Sequence, residues 1–207
     1  MDQTEKVARN IASYLKKAIK ARGFSTLIVS GGRSPQQIFS HINRLDIGWH
    51  NIIVSLVDDR LLPSDHNDSN EKNIKTNLLK NFATKATFVS MCNETQKLRD
   101  LPRPFDVMLL GVGEDGHFAS LFPNMVSSEE ALKNDAPPKI IETPKNGSPL
   151  CYRLSMNLTM ILETRRCILI GHTKEKMWVI NRAMGDQSLP LHYLLNNKTI
   201  NVEIIKE

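Results

Sequence analysis

Four short apolar runs, each followed at once by glycine or charged residues, constrain how this 207-residue chain folds. The runs lie at residues 26–30, 52–57, 105–110 and 166–171. Their length and their content of branched aliphatic residues are typical of buried strands. Amphipathic helical patterns separate them, and the clearest is at residues 3–21. This alternation predicts an α/β fold with an open, mostly parallel sheet and helices on both faces.

At this length we expect a single domain over residues 1–207, with an irregular, proline-rich excursion at 124–150 that is long enough to cap a site. Hydrophobic residues make up 41% of the chain and charged residues 24%, which is ordinary for a globular domain. The first twenty residues are polar, and no apolar run approaches the ~20 residues that span a bilayer. These features predict a cytoplasmic protein with no membrane partner.

The net charge of +5 suits an anionic ligand. The basic residues are scattered and not interleaved with aromatic residues, so a nucleic-acid partner is not predicted. The cysteines Cys92, Cys151 and Cys167 form no C-x-x-C pair, and no compact group of ligand residues is seen. Neither a disulfide framework nor a metal site is therefore predicted.

The first glycine turn, at residues 30–35, reads Ser-Gly-Gly-Arg-Ser-Pro and joins a strand to a helix. Free N–H groups and the helix dipole favour an anion at such a helix start. Gly31 and Gly32 would let a phosphate approach the backbone, and the hydroxyls of Ser30 and Ser34 could donate to it. Taken alone, the motif fits equally well a turn that simply needs a positive φ.

The second glycine turn follows the apolar run at 105–110. It contains three glycines within six positions, namely Gly111, Gly113 and Gly116. Such a turn lets the backbone approach another group closely. Asp115 and His117 lie inside it, at the carboxyl end of a strand, where open α/β sheets bind ligands. An Asp and a His can act together as acid, base and orienting group, although a lone His is more often structural.

Three further segments place charged residues near the same sheet edge. Asp58, Asp59 and Arg60 end the second run, Arg153 and Ser155 share one face of a strand at 152–156, and Lys174 opens a helix. A cation opposes the dipole at a helix start, so Lys174 is better placed if it meets an anion. We expect these clusters to converge on one crevice.

The order of these motifs resembles the 6-phosphogluconolactonase family, which shares an α/β superfamily with the glucosamine-6-phosphate deaminases. The most specific segment is 111–123, and the shorter motifs gain weight because they follow the same order along nearly the whole chain. The chain departs from the family's usual residues at Arg33, Asp59 and Phe118. These departures leave the His, the arginines and the lysine in place.

The resemblance implies hydrolysis of 6-phospho-D-glucono-1,5-lactone in the oxidative pentose phosphate pathway, with no cofactor or metal. His117 would act as general base on water and then as general acid, Asp115 would orient the imidazole or only shape the turn, and Arg60 would contact the substrate or stabilise developing charge. The implied substrate- and phosphate-binding residues are Ser30, Gly31, Gly32, Ser34, Asp58, Gly113, Arg153 and Lys174. The small-molecule substrate would be the only partner of a monomer or weak homodimer.

Two alternatives stay open. In the deaminases a Glu matches the position of Phe122 and partners the His in opening the sugar ring, so Phe122, which cannot transfer a proton, weakens that reading sharply. A non-catalytic sugar-phosphate-binding module on the same fold is the second alternative. Such a module could dispense with His117, so the histidine favours an enzyme.

Overall fold

The computed structural model describes residues 2–206. The helices are α1 (Gln3–Arg22), α2 (Gln36–Ile42), α3 (Asn70–Asn77), α4 (Thr95–Arg99), α5 (Glu129–Leu132), α6 (Leu158–Leu162), α7 (Lys174–Ala183) and α8 (Pro190–Leu195). The strands are β1 (Ser25–Val29), β2 (Ile52–Leu56), β3 (Asp58–Arg60), β4 (Thr87–Val89), β5 (Val107–Gly111), β6 (Ile140–Asn146), β7 (Cys151–Met156), β8 (Cys167–Ile170) and β9 (Val202–Ile205). Short 3₁₀ turns lie at Trp49–Asn51, Asn81–Lys85 and Pro123–Met125.

The main sheet has the strand order β4-β2-β1-β5-β8-β9, and every neighbouring pair is parallel. This confirms the predicted α/β architecture. Nearly all residues of β1, β2, β5 and β8 are buried, because helices cover the sheet. Burial on both faces explains why these strands read as continuous apolar runs without alternation.

The strand order reverses between β1 and β5. The chain passes from β1 outward to β2 and β4, and then returns to place β5 on the other side of β1. Right-handed crossovers put the helices before and after such a reversal on opposite faces of the sheet. Val29 pairs with Leu109 in register, and the Ser30 N–H donates to the Leu109 carbonyl at 2.9 Å. The two glycine turns therefore leave the sheet side by side at the switch point, where open sheets bind ligands.

A second, three-stranded antiparallel sheet has the order β3-β7-β6, and the sequence did not predict it. Arg60 pairs with Arg153, and Asp58 pairs with Ser155. The small sheet joins the main one at the end of β2, where the Val57 carbonyl accepts from the Met156 N–H at 2.9 Å. Strand identity at Asp58–Arg60 depends on this pairing with β7, because three polar residues carry no strand pattern of their own.

The excursion at 124–150 is more regular than the sequence predicted. It contains the short helix α5 and all of β6. Strand β6 pairs with β7 through a register irregularity between Thr143 and Asn146. The segment forms a strand because it pairs with β7, although its prolines are unusual in a strand sequence.

Three helices have well-defined ends. Helix α1 ends at Gly23, whose φ of +82° suits a glycine at this position. Helix α3 is capped by Ser69 and ends at Asn77. The Thr173 hydroxyl caps α7, so Lys174 is the first helical residue and Lys176 the third. Across residues 2–206, no helix has the length and apolar character needed to cross a membrane.

Candidate active site

Asp115 and His117 are in direct contact. An Asp115 Oδ1 lies 2.5 Å from His117 Nδ1 and accepts from the His117 backbone N–H at 3.2 Å. The carboxylate thus both orients the ring and closes the turn. Burial would raise the pKa of Asp115, but the hydrogen bonds and charge interaction with His117 lower it overall. A proton held on Nδ1 by the carboxylate leaves Nε2 as the basic nitrogen of the neutral imidazole.

Gly113 leaves just enough room for the histidine. A Cβ at this position would stand 2.2 Å from His117 Cε1 and Nδ1 and 2.6 Å from Asp115 Oδ1. The Gly113 N–H donates to the His117 carbonyl at 2.9 Å, and the Gly116 N–H donates to the Gly113 carbonyl at 3.0 Å. Gly116 has a φ of +81°. The first glycine therefore serves close approach, and the second serves a left-handed backbone.

The aromatic ring of Phe122 packs against the imidazole of His117. The ring centroids of Phe122 and His117 are 4.5 Å apart, and Phe122 is buried. The guanidinium of Arg153 lies 5.3 Å from the centroid of the same Phe122 ring. Phe118, one of the departures from the family pattern, is fully buried in the hydrophobic core. Phe122 thus supports the imidazole by stacking and offers it no proton.

Ser120 fastens the segment after His117 to the small sheet. Its hydroxyl donates to Asp58 Oδ2 at 2.5 Å, and its N–H donates to Ser155 Oγ at 3.2 Å. All three residues are buried. Asp58, predicted to bind substrate, therefore uses its carboxylate to hold the loop that follows the histidine.

The first glycine turn is held by the main sheet and by α3. Ser30 Oγ accepts from the Gly111 N–H at 3.1 Å, which ties the two glycine turns together. A Cβ on Gly31 would stand 2.4 Å from the Cβ of Asn70, so this helix packs directly on the turn. Asn73 Nδ2 donates to the Gly31 carbonyl. The turn is thus preorganised before any ligand enters.

The two arginines of the small sheet have different surroundings. Arg60 donates to the Asp68 carbonyl at 2.7 Å and to Asn70 Oδ1 at 3.0 Å, and it lines a cavity of about 510 Å³ with Gly31 and Gly32. Arg153 is buried and donates to carbonyls of its own hairpin. These acceptors are the carbonyls of Asn146, Pro149 and Cys151. Burial and the charge on Arg60 lower the pKa of Arg153.

The lysine that contacts the first glycine turn is Lys176. Its Nζ donates to Ser34 Oγ, and the side chain is half-buried. Lys174, the predicted residue, is exposed and borders a different depression together with Glu114 and Trp178. Both lysines lie in the first turn of α7, and the prediction of Lys174 rests on the family resemblance.

Sequence reasoning also missed the role of α3. Asn70, Asn73 and Asn77 recur at helical spacing, a signal that could have marked the face toward the first glycine turn. Asp59 orients the start of this helix, because its carboxylate accepts from the N–H groups of Asn70 at 2.7 Å and Glu71 at 3.0 Å. Burial raises the pKa of Asp59 to about 6, although these backbone donors oppose the rise.

Between residues 2 and 206, no group of three or more His, Cys, Asp or Glu residues is close enough together to hold an ion.

A family model described as glucosamine-6-phosphate isomerases/6-phosphogluconolactonase matches residues 2–202. The chain belongs to this family. A 6-phosphogluconolactonase of Pseudomonas aeruginosa is 39% identical over 89% of this chain and 82% of its own length. One from Neisseria meningitidis is 30% identical over 98% of this chain and 94% of its own. The resemblance inferred from the motifs is thereby confirmed.

Solved structures agree with this family assignment. A 6-phosphogluconolactonase from Shewanella baltica superposes with a TM-score of 0.88 at 31% identity, covering 99% of this chain and 92% of that one. A putative 6-phosphogluconolactonase from Neisseria gonorrhoeae gives a TM-score of 0.89 at 30% identity, covering 99% and 94%. The family members share the architecture that carries both glycine turns.

Proposed function

We propose that this chain hydrolyses 6-phospho-D-glucono-1,5-lactone to 6-phospho-D-gluconate, as the names of its relatives indicate for those proteins. The chain is an enzyme of the lactonase type, an ester hydrolase of carbohydrate metabolism. The observation that carries the proposal is the 2.5 Å contact between Asp115 and His117 in the second glycine turn, which the bond from the Gly111 N–H to Ser30 Oγ ties to the first. This contact supports a role for His117 as an oriented base near a turn suited to an anion.

In the proposed reaction, His117 Nε2 removes a proton from a water molecule as its oxygen attacks C1 of the lactone. The carbonyl thereby becomes a tetrahedral oxyanion. The bond between C1 and the ring oxygen then breaks, and the imidazolium returns its proton to that oxygen. Asp115 keeps the ring in one tautomer and orientation throughout, so its role is that of a positioning residue.

The phosphate would anchor the distant end of the substrate. The cavity bordered by Gly31, Gly32 and Arg60 has a volume of about 510 Å³, within the usual range for small-molecule sites. Arg60 presents a planar guanidinium there, a group suited to phosphate oxygens. Binding of the phosphate at this end would position C1 for attack and so supply part of the rate enhancement.

The surroundings of His117 favour lactone hydrolysis over deamination. Ring opening of an amino sugar needs a second acid–base group, and Phe122 stacks on the imidazole in the corresponding place. A non-catalytic binding module would keep the positively charged side chains that bind the phosphate. It would not need the Asp115 carboxylate at Nδ1 of His117. Both alternatives therefore fit this site less well.

A coupled assay with freshly generated 6-phosphogluconolactone tests the function. We expect 6-phosphogluconate to form much faster than by spontaneous hydrolysis, which is measured without enzyme and subtracted. Glucosamine 6-phosphate should release no ammonia. Lactone loss at the spontaneous rate would refute the proposal, and ammonia release would support the deaminase. The monomeric or weakly dimeric state stays a prediction that light scattering can test. The cytoplasmic location stays a prediction that cell fractionation can test.

A further inference from the structure

Asn70 connects three parts of the site. It is the first residue of α3 and is buried between β3 and the first glycine turn. Its Nδ2 donates to the Asp58 carbonyl at 2.9 Å, and its Oδ1 accepts from Arg60 Nη1 at 3.0 Å. A Cβ on Gly31 would stand 2.8 Å from the same Oδ1. One amide group therefore contacts the backbone of β3, the guanidinium of Arg60 and the backbone of the turn.

The partners of this amide fix the way it points. A backbone carbonyl can only accept a hydrogen bond and a guanidinium can only donate, so the nitrogen must face Asp58 and the oxygen must face Arg60. An aspartate at position 70 would offer the carbonyl no donor. A leucine would keep the branched shape and offer neither group. The contact therefore depends on the amide and not only on the volume of the side chain.

The backbone of Asn70 is held separately from its side chain. The buried carboxylate of Asp59 accepts from the N–H groups of Asn70 at 2.7 Å, of Arg60 at 2.7 Å and of Glu71 at 3.0 Å. This carboxylate thus ties the start of α3 to β3. Substitution of the Asn70 side chain leaves these backbone bonds in place, so it can test the amide alone.

Arg60 depends on this amide for its direction. The guanidinium lines the cavity of about 510 Å³ together with Gly31 and Gly32. Its other acceptor is the carbonyl of Asp68, at 2.7 Å, in an exposed loop. A long side chain loses rotamer freedom when a ligand fixes it, and holding it beforehand lowers that cost of binding.

We propose that Asn70 is a positioning residue for the hydrolysis, whose amide holds the Arg60 guanidinium toward the cavity and at a fixed distance from the first glycine turn. The inference rests on the proposed function, because it names a residue that serves the same site. Asn70 acts through Arg60 and contacts no reacting atom.

A double-mutant cycle tests this role. Asn70→Leu should lower kcat/KM for 6-phosphogluconolactone ~10-fold, because Arg60 loses a hydrogen bond to a charged group. In an Arg60→Ala background the same substitution should lower kcat/KM by less than ~2-fold, because the group that it positions is already absent. An equal loss in both backgrounds would indicate a structural role and overturn the proposal.

Two further variants guard the cycle against misfolding. Asn70→Ala removes the amide without crowding Gly31, so it should reproduce the kinetic loss of Asn70→Leu even if the leucine disturbs the turn. Asn10→Leu, at an exposed position of α1, is the matched control and should keep the wild-type kcat/KM. Wild-type kcat/KM in Asn70→Ala would overturn the proposal.

Nitrogen NMR of the Arg60 guanidinium separates this proposal from the proposed function, because it needs no turnover. Hindered rotation in the wild type should give distinct signals for Nη1 and Nη2, which are assigned by their loss in Arg60→Ala. In Asn70→Ala the two signals should move toward a common average. If the wild type fails to hydrolyse the lactone and the signals still change in this way, the function fails and the positioning role stands. Identical guanidinium signals in wild type and Asn70→Ala, or one averaged signal in the wild type, would overturn the positioning role whatever the activity.

Discussion

The two ends of the site are built in opposite ways. The imidazole end lies within one turn, where Gly113, Asp115 and His117 are separated by single residues and contact one another directly. The other end, which we call the cation end, consists of positively charged side chains from segments that are distant in sequence, among them Arg60 on β3 and Lys176 on α7. In the proposed function, local backbone geometry would fix the chemistry, whereas ligand affinity would depend on the packing of separate elements. Substitutions at the two ends should differ accordingly.

Gly113→Ala should have the largest effect among changes that spare the imidazole itself. The added Cβ would overlap His117, which must shift by about an ångström, and such a misplacement lowers kcat/KM ~100-fold. Steady-state kinetics and the unfolding midpoint should both be measured. Gly185→Ala is the matched control, because its Cβ would meet nothing within 4 Å. Wild-type kinetics in Gly113→Ala would show that the histidine has no fixed position.

Arg153→Lys should weaken the hairpin that frames the cation end. A lysine cannot reach the carbonyls of Asn146 and Pro149 together, so the free energy of unfolding should fall by ~2 kcal/mol. Urea titration gives this value, and hydrogen exchange should quicken at residues 146–151. Arg99→Lys, at an exposed position, should change neither quantity. Unaltered exchange in Arg153→Lys would mean that the hairpin is held by other contacts.

Asp115→Asn should lower kcat about 10-fold, because the amide still accepts from the imidazole but no longer supplies a charge. The pKa of Asp115 is lowered, so the wild-type carboxylate is ionised above its ordinary titration range. The variant should move the acid limb of the pH–rate profile to lower pH. Asp135→Asn, at an exposed position, should leave the profile in place. A pH–rate profile of Asp115→Asn identical to that of the wild type would mean that Asp115 only shapes the turn.

Asp59→Asn should give a pH-dependent change in stability. An unfolded aspartate titrates near 3.8, and burial raises the pKa of Asp59 to about 6, so between these values the folded protein binds more protons. The stability from this group is complete below pH ~4 and is lost as the pH rises through 6. Relative to Asp59→Asn, the wild type should lose up to ~3 kcal/mol over this window. A difference in unfolding free energy between wild type and Asp59→Asn that does not vary with pH would contradict the raised pKa of Asp59.

The same comparison explains what the sequence could predict. The main sheet was predictable because strands buried on both faces read as continuous apolar runs. The Asp115–His117 pair was predictable because its members are sequence neighbours in a turn that only glycine permits. Both features are encoded within a few consecutive residues.

Features set by remote contacts could not be predicted. Strand β3 is a strand only because it pairs with β7, and Asp58 turned out to hold Ser120. The contact of Lys176 with Ser34 depends on how the first turn of α7 faces that residue, which neither spacing nor residue type reveals. The packing of Asn70 on Gly31 likewise follows from tertiary structure.

The central claim is that His117 performs the hydrolysis while the cation end only holds the substrate. The most direct measurement compares kcat and KM of wild type and His117→Ala for freshly generated 6-phosphogluconolactone, with spontaneous hydrolysis subtracted. Loss of the general base should lower kcat ~1,000-fold and leave KM within ~3-fold of the wild-type value. A His117→Ala variant that keeps the wild-type kcat would contradict the claim.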